Sequence, residues 1–312
     1  MRKLAASLVP LLTFLPTPVK TTPVKTTPVK TTPVNTTPAG IISGNTAVAG
    51  GTFAGPPFAY GVYDSAVLQD KPAAYWRLDR SSSGAETSLR GGLRGTYSGT
   101  RSATTLPDGS GATAFDGATG YFEVPDNAVL SPATTGEFTL EAWMRPDTLS
   151  FPNQQSSGYV HWMGKGEPDH HEYVARMYSF ENNENRPNRI SGYLFNASGG
   201  LGAGSYFQDA VSTGQWIHYV LVINANAKSE AYPNGYTKIY RDGVLRDQDD
   251  LSIRGQIIIP SDGSAPFRVG TRDFGSWFQG AVGKVAVYNG ELAPTRIAAH
   301  HQAMTTPPGR RP

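Results

Sequence analysis

The sequence predicts an all-β protein on three observations: its turn-forming content, the alternating polarity of several segments, and a strong hairpin signal. Its 312 residues include 35 Gly and 24 Pro, with 11% aromatic and only 17% charged residues, which suits many short strands joined by tight turns. In Phe138–Arg145, Phe138, Leu140, Ala142 and Met144 alternate with Thr139, Glu141, Trp143 and Arg145, as on a strand with one aliphatic face. Asp242-Gly243 stands between two β-rich arms, a pairing favoured where both turn residues need positive φ.

The chain opens with a positive start at Met1–Lys3 and an apolar stretch from Leu4 to Leu15. That length is too short to span a bilayer and matches the core of a secretory signal, so residues 1–15 are expected to be a signal peptide. Pro10 interrupts the stretch, and no small-x-small cleavage site follows. From Pro16 the sequence repeats every five residues, PTPVK, TTPVK, TTPVK, TTPVN and TTPAG. Proline at that spacing forbids helix and favours extended chain, so residues 16–58 are expected to form a disordered Thr/Pro stalk and linker whose role is reach. The expected location is secreted or cell-surface, outside the cell, with no transmembrane span. Asn35-Thr36-Thr37 and Asn196-Ala197-Ser198 match the glycosylation pattern.

The body is expected to run over residues 59–303, with 304–312 a disordered tail. The formal charge of +2 hides an asymmetry, because five Lys and Arg precede the first acidic residue, Asp64, and Arg310 and Arg311 close the chain. Without those seven the body sits near −5, which argues against a nucleic-acid partner. The absence of Cys excludes disulfides and thiolate metal sites. Trp216–Ile223 is apolar on both faces, as a central strand would be. Gly280–Tyr288 reads as another long strand, and Pro294–Gln302 as a short capping helix, the one convincing helix in the sequence.

Seven blocks then carry a resemblance: AVLQDKPAAYWRLDR (66–80), AFDGATGYFEVP (114–125), FTLEAWMRPD (138–147), GQWIHYVLVI (214–223), KIYRDGVL (238–245), FRVGTRDF (267–274) and FQGAVGKVAVYNGELAPTRIAAHHQA (278–303). In this order they resemble the signature blocks of laminin-G-like domains in the concanavalin A-like superfamily. The resemblance implies a two-sheet antiparallel jelly-roll sandwich, with Trp76 and Trp216 on core strands. It also implies an extracellular module binding carbohydrate or protein, although the superfamily includes glycanases and lyases.

Catalysis is not expected. The related glycanases carry a Glu-x-Asp-x-(x)-Glu strand, since a retaining enzyme sets two carboxylates about 5 Å apart, and no such string occurs here. Glu141 stands alone on its strand face as a hydrogen-bonded or rim residue; Asp247 and Asp249 read as a solvated loop, and His300 and His301 as cap and packing residues. GGLGAG (199–204) reads as loop glycine, lacking the Lys-Ser/Thr of a phosphate loop. The resemblance implies calcium at the rim, with Asp169 and Asp273 as ligands from two loops, although Gly283 and Lys284 replace the Asp and Glu of the family's last strand block. A sugar site needs an aromatic platform beside planar polar groups. Trp277 with Arg272 and Asp273 supplies these on one turn, and Asp169, His170 and Glu172 on the other loop complete the expected ligand-binding rim over 165–173 and 271–279. The expected partner is a glycan or polysaccharide, alternatively a surface protein.

Overall fold

A computed structural model describes residues 60–196 and 201–306. The expected signal peptide, the stalk with its Asn35 motif, Gly199 and Gly200, and residues 307–312 lie outside these. In chain order the elements are α1 (Val62–Gln69), β1 (Ala74–Trp76), β2 (Ala85–Thr87), β3 (Arg94–Ser98), β4 (Arg101–Thr105), β5 (Gly111–Asp116), β6 (Tyr121–Val124), β7 (Glu137–Pro146) and β8 (Tyr159–Glu167). There follow β9 (His170–Tyr178), β10 (Ile190–Phe195), β11 (Gly202–Phe207), β12 (Ile217–Asn224), β13 (Tyr236–Arg241), β14 (Val244–Asp250), β15 (Ser252–Ile253), β16 (Gln256–Ile257), β17 (Phe267–Val269), β18 (Gln279–Tyr288) and α2 (Pro294–Thr305). The first sheet runs β14-β13-β12-β7-β18-β5-β4, with β1 also on β18, and the second runs β11-β10-β9-β8-β17-β6-β3-β2. Every neighbouring pair in both sheets is antiparallel, so the expected two-sheet sandwich is present.

Alternation decides which side chains enter the core. Phe138, Leu140, Ala142 and Met144 of β7 meet Trp162, Tyr173, Ala175, Met177, Leu194 and Phe267 of the opposite sheet between the two layers. Full burial of one large apolar side chain contributes about 1.5–3 kcal/mol relative to leaving it in water, so this layer dominates stability. The other face of the first sheet has a core of its own. Trp143, Val220, Val222, Tyr240, Ala286 and Tyr288 pack under Tyr63 and Val67 of α1 and Ile297 and Met304 of α2. This explains why β12 is apolar on both faces: it is central, between β7 and β13, and buried above and below.

The Asp242-Gly243 turn joins β13 to β14 with φ of +53° and +80°, as its residues require. Five local expectations are corrected. The helix α1 was not expected; it has eight residues, and its buried Tyr63, Asp64 and Val67 make a weak periodic signal. Asp247 and Asp249 lie on β14 rather than in a loop, because β13 pairs with that strand on both sides of a bulge at Arg246, and Gly202 and Gly204 lie on β11. Trp216 is half-exposed, its indole donating to the Thr105 carbonyl at 3.1 Å beneath the Arg145 guanidinium. The C-terminal helix runs through Thr305 with Met304 buried, so the domain extends past residue 303. Among the described residues no helix is long and apolar enough to cross a membrane.

Candidate functional site

The helices cover the outer face of the first sheet; the outer face of the second carries a cleft of about 750 Å³. Strand alternation builds it. On β9, Ala175 and Met177 point into the core while Arg176 and Tyr178 point out; on β10, Leu194 points in while Tyr193 and Phe195 point out. Tyr159 and His161 of β8, His171 of β9, Ile253, Arg254 and Arg272 complete most of the wall. The Arg176 guanidinium carbon lies 4.3–4.9 Å from the ring centroids of Tyr159, Tyr178 and Tyr193, and Nη2 donates to the Tyr178 hydroxyl at 3.0 Å. Glu184 pairs with Arg186 at 2.7 Å and accepts a hydrogen bond from Tyr159.

Several polar atoms of this wall are buried without a protein partner: Nδ1 of His161, Nδ1 of His171, Oε1 of Gln155, and Nε and Nη1 of Arg272. Desolvation, reinforced by Arg272 and Arg176, pushes the His161 imidazole well below its usual value. Burial and then Arg272 push His171 down to about 4, so both rings are neutral at neutral pH. A neutral imidazole both donates and accepts, which suits hydroxyl groups. Buried polar groups without partners are costly, and a ligand that satisfies them recovers that cost.

The six expected site residues do not share this cleft. Arg272, wholly buried, lines it and donates from Nη2 to Asp273, which also accepts from the Gly275 amide at 3.1 Å. Asp169, at the tip of the β8–β9 hairpin with φ +64°, and His170 are exposed outside it. Glu172 is buried in a structural cage: Lys165 and Ser131 donate to its carboxylate, as does the Gly263 amide at 2.9 Å, and Asp126 holds the same lysine at 2.8 Å. The register shift at Lys165/Gly166 reverses the alternation at this end of β9, turning His171 to the cleft and Glu172 to the cage. Trp277, half-buried, stands beside Tyr121 and Phe274 at centroid distances of 6.2 and 5.6 Å. The turn carrying it packs at Gly275 against Gln155, on the cleft's edge. Tyr159, Arg176, Tyr178 and Tyr193 were missed, although the alternation of Arg and Tyr on β9 and β10 was there to be read.

Calcium does not fit the expected position. It needs six to eight oxygens, yet the Asp273 carboxylate is occupied by Arg272, and among the described residues no three His, Asp or Glu side chains converge to hold a metal ion.

The family model of the laminin-G type, described as the concanavalin A-like lectin/glucanases superfamily, matches residues 116–298. The chain belongs to this family. Among solved structures, this laminin-G-like chain is similar to domain 4 of AbnA, a GH43 extracellular arabinanase from Geobacillus stearothermophilus, in complex with arabinotriose; identity is 16%, coverage 74% of this chain and 98% of that one, and the TM-score 0.52. It is also similar to the botulinum neurotoxin serotype G binding domain (10% identity, 76% and 52% coverage, TM-score 0.56) and to the serotype D ligand binding domain in complex with N-acetylneuraminic acid (12%, 76% and 52%, 0.54). The match takes in about half of each toxin domain. At these identities the likeness is one of fold. No curated protein matches the chain.

The laminin-G-like domain holds a second polar cluster, beneath its helices. Glu141 is wholly buried rather than at a rim, and accepts from the Tyr63 hydroxyl at 2.7 Å, the Tyr288 hydroxyl at 3.0 Å and His300 Nδ1 at 3.1 Å, with His218 Nε2 at 2.9 Å. Nε2 of His300 lies 2.8 Å from Asp70. Burial alone would raise the Glu141 carboxyl, but His300 and His218 hold it below the usual carboxylate range. Burial pulls His300 down, and Glu141 and Asp70 outweigh it, leaving the imidazole above its usual value. Lys284 sits at a bulge with φ +58° and pairs with Asp64 of α1 at 2.7 Å. This cluster fastens α1 and α2 to the sheet.

Proposed function

We propose that this domain is a non-catalytic carbohydrate-recognition module, displayed or secreted through its N-terminal stalk, with the cleft on the outer face of the second sheet as its binding site. The observation that carries the reading is the set of buried, unpartnered polar atoms on His161, His171 and Arg272 in a wall of tyrosines. Pyranose C–H faces pack on such rings while hydroxyls pair with imidazole and guanidinium groups. Phe274, 43% exposed, and Trp277 flank the cleft and extend the aromatic surface for a longer chain. Arabinotriose and N-acetylneuraminic acid in two similar structures support a glycan partner. Glycosidase chemistry is disfavoured because Glu184, the one carboxylate lining the cleft among the described residues, is engaged by Arg186 and Tyr159.

Calorimetry against a panel of soluble oligosaccharides tests this. Tyr193→Ala should weaken binding about tenfold, equivalent to about 1.4 kcal/mol, with the melting temperature little changed. Failure of the unaltered protein to bind any glycan, or equal binding by the variant, would overturn the assignment.

A further inference from the structure

We infer that the cleft selects an acidic sugar, its charge a carboxylate or a sulfate ester, and holds it through Arg272 and Arg176 without a metal ion. The inference rests on the carbohydrate reading and adds the ligand's charge. Four arginines line the cleft, Arg176, Arg186, Arg254 and Arg272, against the single carboxylate of Glu184. Glu184 answers Arg186. Asp273 answers Arg272 through Nη2 alone, while Nε and Nη1 are buried without partners. Arg176 is 8% exposed and has no carboxylate within ion-pair distance among the described residues. Its charge is supported by three tyrosine rings, the Tyr178 hydroxyl at 3.0 Å and a weak contact to Ser191 at 3.4 Å.

A neutral ligand would leave this balance uncorrected. Burial disfavours the charge on Arg272, Asp273 offsets part of that, and Arg176 adds a smaller repulsion between cations held in a partly dehydrated wall. An anion entering the cleft relieves that repulsion and meets charge-assisted donors, which are about twice as strong as neutral ones. His161 and His171, being neutral, add hydrogen-bonding capacity without further positive charge. Tyr159 and Tyr193 line the same cleft, with Arg176 over one face of each ring.

The full chain is titrated, in the presence of EDTA, with oligogalacturonate and its methyl ester, with dextran sulfate and dextran, and with neutral arabinan and xylan oligosaccharides. At least one anionic probe should bind tenfold or more tightly than its neutral counterpart, with affinity falling as salt is raised. The methyl ester separates the carboxylate from the sulfate source without altering the protein. Arg272→Gln should reduce the preference to near unity; Arg254→Gln, at an exposed position, should lower anionic binding two- to threefold in a protein that keeps its fold. Neutral oligosaccharides binding as tightly as the charged ones would overturn the inference while sustaining the carbohydrate reading. Binding of no probe of either kind would overturn both, and binding of charged probes abolished by EDTA would overturn the metal-free mode.

Discussion

Replacement of Glu141 by Gln should be among the most damaging single-atom changes in the protein. The carboxylate accepts from two tyrosines and a histidine, sits 2.9 Å from a second histidine ring, and is wholly buried under α1 and α2. An amide loses the charge and presents a donor where His300 Nδ1 or Tyr288 already donates. Hydrogen bonds to charged groups contribute about 1.5–3 kcal/mol against about 1 for neutral ones, so three such bonds weaken by roughly 3 kcal/mol in sum. A donor left facing a donor adds about 1–3 kcal/mol, although Asp70 at 2.8 Å retains part of the pairing of His300. The expected loss is about 3–5 kcal/mol, in line with breaking other buried ion pairs. At about 2–4 °C per kcal/mol for a domain of this size, the melting temperature falls by roughly 6–20 °C. Urea unfolding followed by tryptophan fluorescence measures it.

The same change carries a pH signature. Because His300 titrates above its unfolded value, its contribution is fully present below about pH 6.5 and is lost as pH rises through the raised value. Glu141 has the opposite sign; its depressed carboxyl stabilises above about pH 4.5, and the contribution is lost as pH falls through the folded value. Glu141→Gln should therefore flatten both limbs, with Asp70 preserving some of the first. A loss below about 1 kcal/mol, or unchanged pH limbs, would refute the view that charge in this cluster holds the helices on.

Glu172→Gln should cost about 2 kcal/mol, less than a full buried-pair loss because Asp126 still holds Lys165, while glycan affinity stays unchanged; parallel melting and calorimetry would separate the two effects. Gly243→Ala should cost about 1–2 kcal/mol by chemical denaturation, since φ is +80° there and an added Cβ would come within 3.1 Å of the Ala298 backbone on α2. His171 should titrate by NMR at about 4 in the free protein, and an acidic ligand should raise that value. With a folded value below its unfolded one, His171 makes stability fall as pH drops from about 6.5 to 4, and His171→Gln should remove that part of the slope.

The sandwich was legible because its code is local and periodic. The alternation of Phe138 to Arg145, the double-sided burial of β12, and Asp242-Gly243 each require only neighbours in sequence to be interpreted. Seven ordered blocks narrowed the many two-sheet arrangements to one superfamily, and the match over 116–298 agrees. Arg272 also entered the site by sequence, through its family block.

What remained depended on which distant elements meet. Asp247 and Asp249 look like loop residues until β13 pairs with their strand, and Glu141 looks solitary until α1, β12, β18 and α2 bring Tyr63, His218, Tyr288 and His300 around it from as far as 159 residues away. A one-residue register shift sends His171 to the cleft and Glu172 to the lysine cage, an outcome that no alternation rule predicts. The tyrosines around Arg176 come from three strands, whose faces only the sheet order places side by side. Sequence by itself determined the layers and most of the core, because period and turn chemistry are written along the chain. Tertiary structure alone decided the site, because burial and the pairing of charge arise between segments that the chain keeps apart.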